Sequence, residues 1–64
     1  MATADSGERY AWLFRKAGAH LARGNVARAV EVLKDGRALA EQQGNQRMAR
    51  LFEAEIERAK EPPV

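Results

Sequence analysis

An all-α fold of three helices follows from three features of this 64-residue chain. The dipeptide Gly-Asn occurs twice, at Gly24-Asn25 and Gly44-Asn45, each time where one amphipathic pattern stops and another begins. Between these breaks the apolar residues recur at spacings of three and four, the period of a helix and not the alternation of a strand. Pro62 and Pro63 then close the third pattern. Glycine takes the left-handed conformation that ends a helix without a Cβ penalty, and the asparagine side chain can cap the free N–H groups of the helix that follows. The predicted architecture is an antiparallel helical hairpin with a third, capping helix beside it, a single domain over 6–61 between a flexible stretch 1–5 and a Pro-rich tail 62–64.

The first helix is expected over 6–23. Asp5 and Glu8 have capping-box spacing, an N-cap acceptor followed three residues later by a carboxylate. At about 100° per residue, Tyr10, Leu13, Phe14, Ala17 and Leu21 share the face that should turn to the core. Arg9, Trp12, Lys16, Ala19 and Arg23 fall on the opposite face. Trp12 therefore breaks the pattern, a large apolar ring set among cations. The second helix, over 26–43, has a broad apolar arc: Val26, Val30 and Leu33 on one edge, Val32 and Leu39 on the other, with Ala29, Gly36 and Ala40 between. Such an arc belongs to a helix packed between two neighbours. A glycine inside a helix costs about 1 kcal/mol relative to alanine, so Gly36 is read as a place where another helix approaches closely. The third helix, over 46–61, presents Met48, Phe52, Ile56 and Ala59 inward and turns Glu53, Glu57 and Lys60 outward.

Size and composition narrow the function. A domain this small buries only about 60% of the surface its unfolded chain exposes, and with no cysteine it has neither disulfide nor thiolate zinc site to support it. Oligomerisation is the remaining device. Eleven basic and nine acidic residues leave a net charge of +2, too little to imply nucleic acid by itself. No apolar run approaches the roughly 20 residues that span a bilayer, and the first residues lack the basic and apolar parts of a signal peptide. A cytoplasmic protein without membrane contact is expected. Eight arginines against three lysines, with abundant alanine, fit a GC-rich bacterial genome.

The stretch Leu21-Ala22-Arg23-Gly24-Asn25-Val26-Ala27-Arg28-Ala29-Val30-Glu31, followed by Leu39-Ala40-Glu41-Gln42-Gln43-Gly44-Asn45, resembles a tetratricopeptide repeat with a lengthened second helix. Ala17, Ala29 and Gly36 fall where that family places small residues at the crossing of its helices. Lys16 and His20 depart from the pattern, standing where the family has Leu and an aromatic, and so does Glu57, where it has a small residue. The likeness covers about residues 10 to 45, and the third helix resembles the start of a following repeat. Three-helix domains of the microtubule-interacting and trafficking type are similar in pattern as well, including an ending like Ile56-Glu57-Arg58-Ala59-Lys60. The repeat resemblance implies a protein-binding scaffold of about one and a half units. Repeats bury their faces against neighbours and about three make a stable array, so a second copy is expected to close the open end, most simply by a two-fold interface.

Catalysis has little to work with. Ser6, Thr3 and His20 are the only residues of their kinds, and they assemble no triad or Cys/His pair. His20 sits at the border of the core stripe and is expected to be a packing residue. Glu53 and Glu57 lie four apart but without a Glu-x-x-His companion, and read as a solvated face. Gly24 and Gly44 are isolated turn residues, so there is no phosphate loop. No enzyme activity, cofactor or metal is expected. The partner-binding candidates are Arg9, Trp12, Lys16 and Arg23 on the first helix and Val32 and Leu39 on the second, because Trp and Arg are enriched in interface hot spots. The partner is another protein, a second copy of the chain, or both. A small nucleic-acid-associated regulator is the alternative, a base stacking on Trp12 while the cations meet phosphates.

Overall fold

The computed structural model describes residues 5–61, all helix apart from the two turns and the final cap, with no strand among them. Helix α1 runs Asp5–Ala22, α2 Val26–Gln42 and α3 Gln46–Lys60. Asp5, expected to cap α1, already belongs to it. The stretch 1–4 and the Pro62-Pro63 stop lie outside the described residues.

Both turns are built alike. At the end of α1, Gly24 N–H donates to the Leu21 carbonyl (2.9 Å) and Asn25 N–H to the His20 carbonyl (2.8 Å); at the end of α2, Gly44 N–H donates to Glu41 (3.1 Å) and Asn45 N–H to Ala40 (2.8 Å). This crossed pair of bonds satisfies the carbonyls that a helix end leaves open, and it needs a left-handed residue between them. Gly24 and Gly44 supply it, at φ 79° and 70°. Each asparagine then opens the next helix: Asn25 Oδ1 accepts from Arg28 N–H at 3.4 Å and Asn45 Oδ1 from Met48 N–H at 3.1 Å. Arg23, Gln43 and Glu61, expected as the last helical residues, therefore lie in the turns and the terminal cap instead.

Helix α2 lies between its neighbours and packs against both. The core consists of Tyr10, Ala17, Ala29, Val32, Leu33, Ala40, Phe52 and Ile56, with Leu13, Phe14, Val30, Leu39, Met48, Ala49 and Ala59 packed against it. Phe52 of α3 crosses α2 at Gly36, where an added Cβ would overlap its ring. Beyond Gly36 that ring stacks on Phe14 of α1, with centroids 4.3 Å apart and planes 2° from parallel, and meets Tyr10 at 5.9 Å. Gly36 thus lets one aromatic side chain hold all three helices together. Two polar ties fasten the edges. Tyr10 donates its hydroxyl to Gln43 Oε1, and Arg37 of α2 pairs with Glu53 of α3.

Three expectations are corrected. Val32, assigned to an outer partner-binding edge, is buried within the chain, and Leu39 is partly buried against the core. The Val32 and Leu39 edge of the α2 arc is taken up within the chain, because the helix lies between α1 and α3, while Val26 on the other edge stays exposed. Leu21, expected inside, is 38% exposed; the last turn of α3 offers only Ala59 as an apolar cover at that end of the fold. Glu53, expected to face solvent, is half-buried and engaged with Arg37.

Candidate functional site

Four large apolar side chains remain exposed among the described residues: Trp12 (51%), Leu51 (47%), Val26 (42%) and Leu21. Trp12 lies on the side of α1 turned from the core, since Tyr10, Phe14 and Ala17 occupy the inner side of the same two turns. Arg9, Lys16 and Ala19 are exposed with it, as is Arg23 in the turn that follows, so three of the four candidates lie on one open face of α1 and the fourth just beyond its end. Lys16 Nζ sits 4.7 Å from the centroid of the indole. That is within the roughly 6 Å over which a cation is attracted to the ring, an attraction of about 0.5–1 kcal/mol at an exposed site. The contact holds the Trp12 ring against its own helix with one face partly covered by a charge.

The charges are organised differently on the other helices. Arg28 pairs with Glu31 (3.4 Å), Arg58 with Glu55 (3.2 Å), and Arg37 with both Glu41 (3.8 Å) and Glu53. The Glu53 carboxylate, by its hydrogen bond and then its charge, raises the Arg37 guanidinium above its usual range, with Glu41 adding to the effect. No ion pair among the described residues involves α1. Lys16 and Arg23 therefore meet solvent, or a partner, with their charge uncompensated.

His20 is half-buried, and its Nδ1 is shielded from solvent without a hydrogen-bond partner among the described residues. No group of three or more His, Cys, Asp or Glu side chains that could hold a metal occurs among the described residues. No described helix is long and apolar enough to cross a membrane.

Sequence reasoning missed two features of this surface. Leu51 lies outside the stripe formed by Met48, Phe52, Ile56 and Ala59, and its place in that pattern could have marked it as exposed, as it marked Trp12. The Arg37–Glu53 bridge had no such signal, because it depends on which flanks of α2 and α3 meet. Comparison of the chain with known protein families, with curated proteins and with solved structures finds no match.

Proposed function

We propose that this chain is a non-enzymatic protein-interaction module that self-associates through its exposed helix faces, with Trp12 as the anchor. The observation that carries this is the exposure of Trp12 at 51% within a row of cations that no described acidic side chain pairs. A large aromatic at the centre of a charged rim is the composition of an interface hot spot. The small core gives a second support, because a domain of this size without a cysteine gains stability by covering its exposed apolar faces. A tetratricopeptide-like organisation of about one and a half units fits the same purpose: a helical hairpin and a third helix joined by turns of one design, with the small residues Ala17, Ala29 and Gly36 buried.

The experiment is light scattering against concentration, combined with indole fluorescence. In dilute monomer Trp12 should emit at long wavelength and be quenched by acrylamide; on assembly it should become protected. Trp12→Ala should keep the helical circular dichroism and weaken assembly by about 2 kcal/mol or more. A shielded indole in a demonstrated monomer, with Trp12→Ala unfolding the chain, would place Trp12 in the core and remove the interface. The uncompensated cations of α1 favour nucleic acid as the second reading, and salt separates the two. Affinity for an oligonucleotide should fall steeply between low and moderate salt as counterions are released, whereas an interface anchored on a buried indole should change little.

A further inference from the structure

The chain holds two aspartates and two asparagines, and one of the four is followed by glycine, at Asp35-Gly36. A glycine nitrogen has no neighbouring side chain to shield it, so a carboxyl group just ahead of it is open to attack by that nitrogen. Asp5 precedes Ser6 instead, Asn25 precedes the β-branched Val26, and Asn45 precedes Gln46. Both asparagines also have their side-chain oxygens engaged as caps. Asp35 is exposed, and its carboxylate makes no ion pair or hydrogen bond among the described residues. Gly36, by contrast, is held to its identity by Phe52, whose ring fills the space of a Cβ. The packing of α3 on α2 thus keeps the reactive member of the pair in place.

We propose that Asp35-Gly36 is a site of isoaspartate formation gated by the fold, closed while α2 is helical and open when it unwinds. This chemistry needs no contact between copies, so it goes beyond the self-association proposed above. The Gly36 nitrogen bonds to Asp35 Cγ, and its hydrogen leaves with a carboxyl oxygen as water, giving a succinimide. Water then adds to one of the two ring carbonyls. When the bond from the nitrogen to the Asp35 main-chain carbonyl breaks, the chain runs through the former side chain and the main-chain carbonyl becomes a free carboxylate. The water lost is regained, and no oxidant or cofactor takes part. Within α2 the attack is barred twice: the Gly36 N–H is committed to a carbonyl one turn back, and the helical ψ of Asp35 holds the nitrogen away from Cγ. The pair lies well inside α2 and under Phe52, so fraying of the helix ends does not free it. Once formed, isoaspartate adds a carbon to the main chain just ahead of Gly36. The helical ladder is broken there, and Gly36 and Ala40 are shifted from their buried places, so the opened chain cannot close again.

The test incubates the dilute chain at neutral pH and physiological temperature, folded in buffer and unfolded in guanidinium chloride. Cleavage after glutamate releases the peptide 32–41, whose isoaspartyl form has the same mass, a different retention time and a diagnostic backbone fragment. The folded chain should convert at least about tenfold more slowly than the unfolded one, because the rate follows the population of the open form. Asn45→Ala loosens the fold without touching the pair. It should speed conversion in buffer about fivefold, the fold-change that about 1 kcal/mol of lost capping produces, and leave the rate in guanidinium unchanged. Should Asn45→Ala unfold outright, Asn25→Ala, with its longer cap bond, takes its place. Asp35→Glu keeps the charge and should remove the isomer, since glutamate closes only a larger and slower ring. The purified isoaspartyl chain should lack the cooperative helical melt of the original. Absence of the isomer in guanidinium overturns the site. Equal rates in buffer and guanidinium, or a cap variant that converts no faster in buffer than the original, overturn the gating, and an isoaspartyl chain that melts like the original overturns the one-way outcome.

Discussion

Replacing Gly36 with alanine sets two opposed effects against each other, and the structure decides between them. In an exposed helix interior the change would stabilise by about 1 kcal/mol, since alanine is the best helix former and glycine among the poorest. Here the new methyl overlaps the Phe52 ring at Cδ1, Cε1 and Cζ. The ring cannot retreat, because Phe14 stacks on its far side at 4.3 Å and Phe52 is fully buried. Relief must come from separating α2 and α3 or from forcing Phe52 off its rotamer, and overpacking of this kind costs about 1–3 kcal/mol. The net change is a loss of about 0–2 kcal/mol for alanine and a larger loss for leucine. Pairing the substitution with Phe52→Leu supplies the control. Phe52→Leu alone destabilises by emptying the centre of the core, but in its presence Gly36→Ala should turn stabilising as the helix propensity is recovered, a coupling of sign that a double-mutant cycle isolates. Thermal melts by far-ultraviolet circular dichroism suffice, since 1 kcal/mol moves the midpoint by roughly 4–8 °C in a domain of this size. A Gly36→Ala chain that melts higher than the original, with Phe52 intact, would refute the close approach.

The same geometry makes two further predictions. Ala29→Leu, at a fully buried position of α2, should overpack and cost about 1–3 kcal/mol in the same melts, whereas Ala38→Leu on the exposed side of that helix should be tolerated; equal tolerance would mean that the helix faces are wrongly assigned. Asn45→Ala should lose about 1 kcal/mol and Asn25→Ala less, because Asn45 Oδ1 holds the Met48 N–H at 3.1 Å and Asn25 Oδ1 reaches the Arg28 N–H only at 3.4 Å; urea unfolding of the two variants side by side would reveal a reversed order.

Much of the fold was legible because its signals are local. The Gly-Asn pairs are read from two adjacent residues, and both turned out to be the left-handed cap and the side-chain acceptor that those residue types favour. Phe52 and Ile56 followed from helical periodicity, which depends on one helix at a time. Gly36 was legible for another reason: it falls among the apolar residues of its helix, where a missing side chain leaves room for a neighbour, and the Phe52 ring, stacked on Phe14, takes that room, whereas Gly18 on the open side of α1 has nothing against it. What periodicity could not convey was how much of an apolar arc the neighbours would cover. Val32 and Leu39 looked like a surplus edge only because the angle between α1 and α3 around α2 is a property of three helices together.

The site divides along the same line. Trp12 was identifiable from α1 alone, since a residue opposite Tyr10, Phe14 and Ala17 has nowhere to go but outward. The row of cations around Trp12 was legible in the same way, but only the pairs made on α2 and α3 show that no acidic side chain among the described residues answers Lys16 and Arg23. The Arg37–Glu53 bridge depends instead on which flanks of α2 and α3 meet, and neither helix carries that information alone.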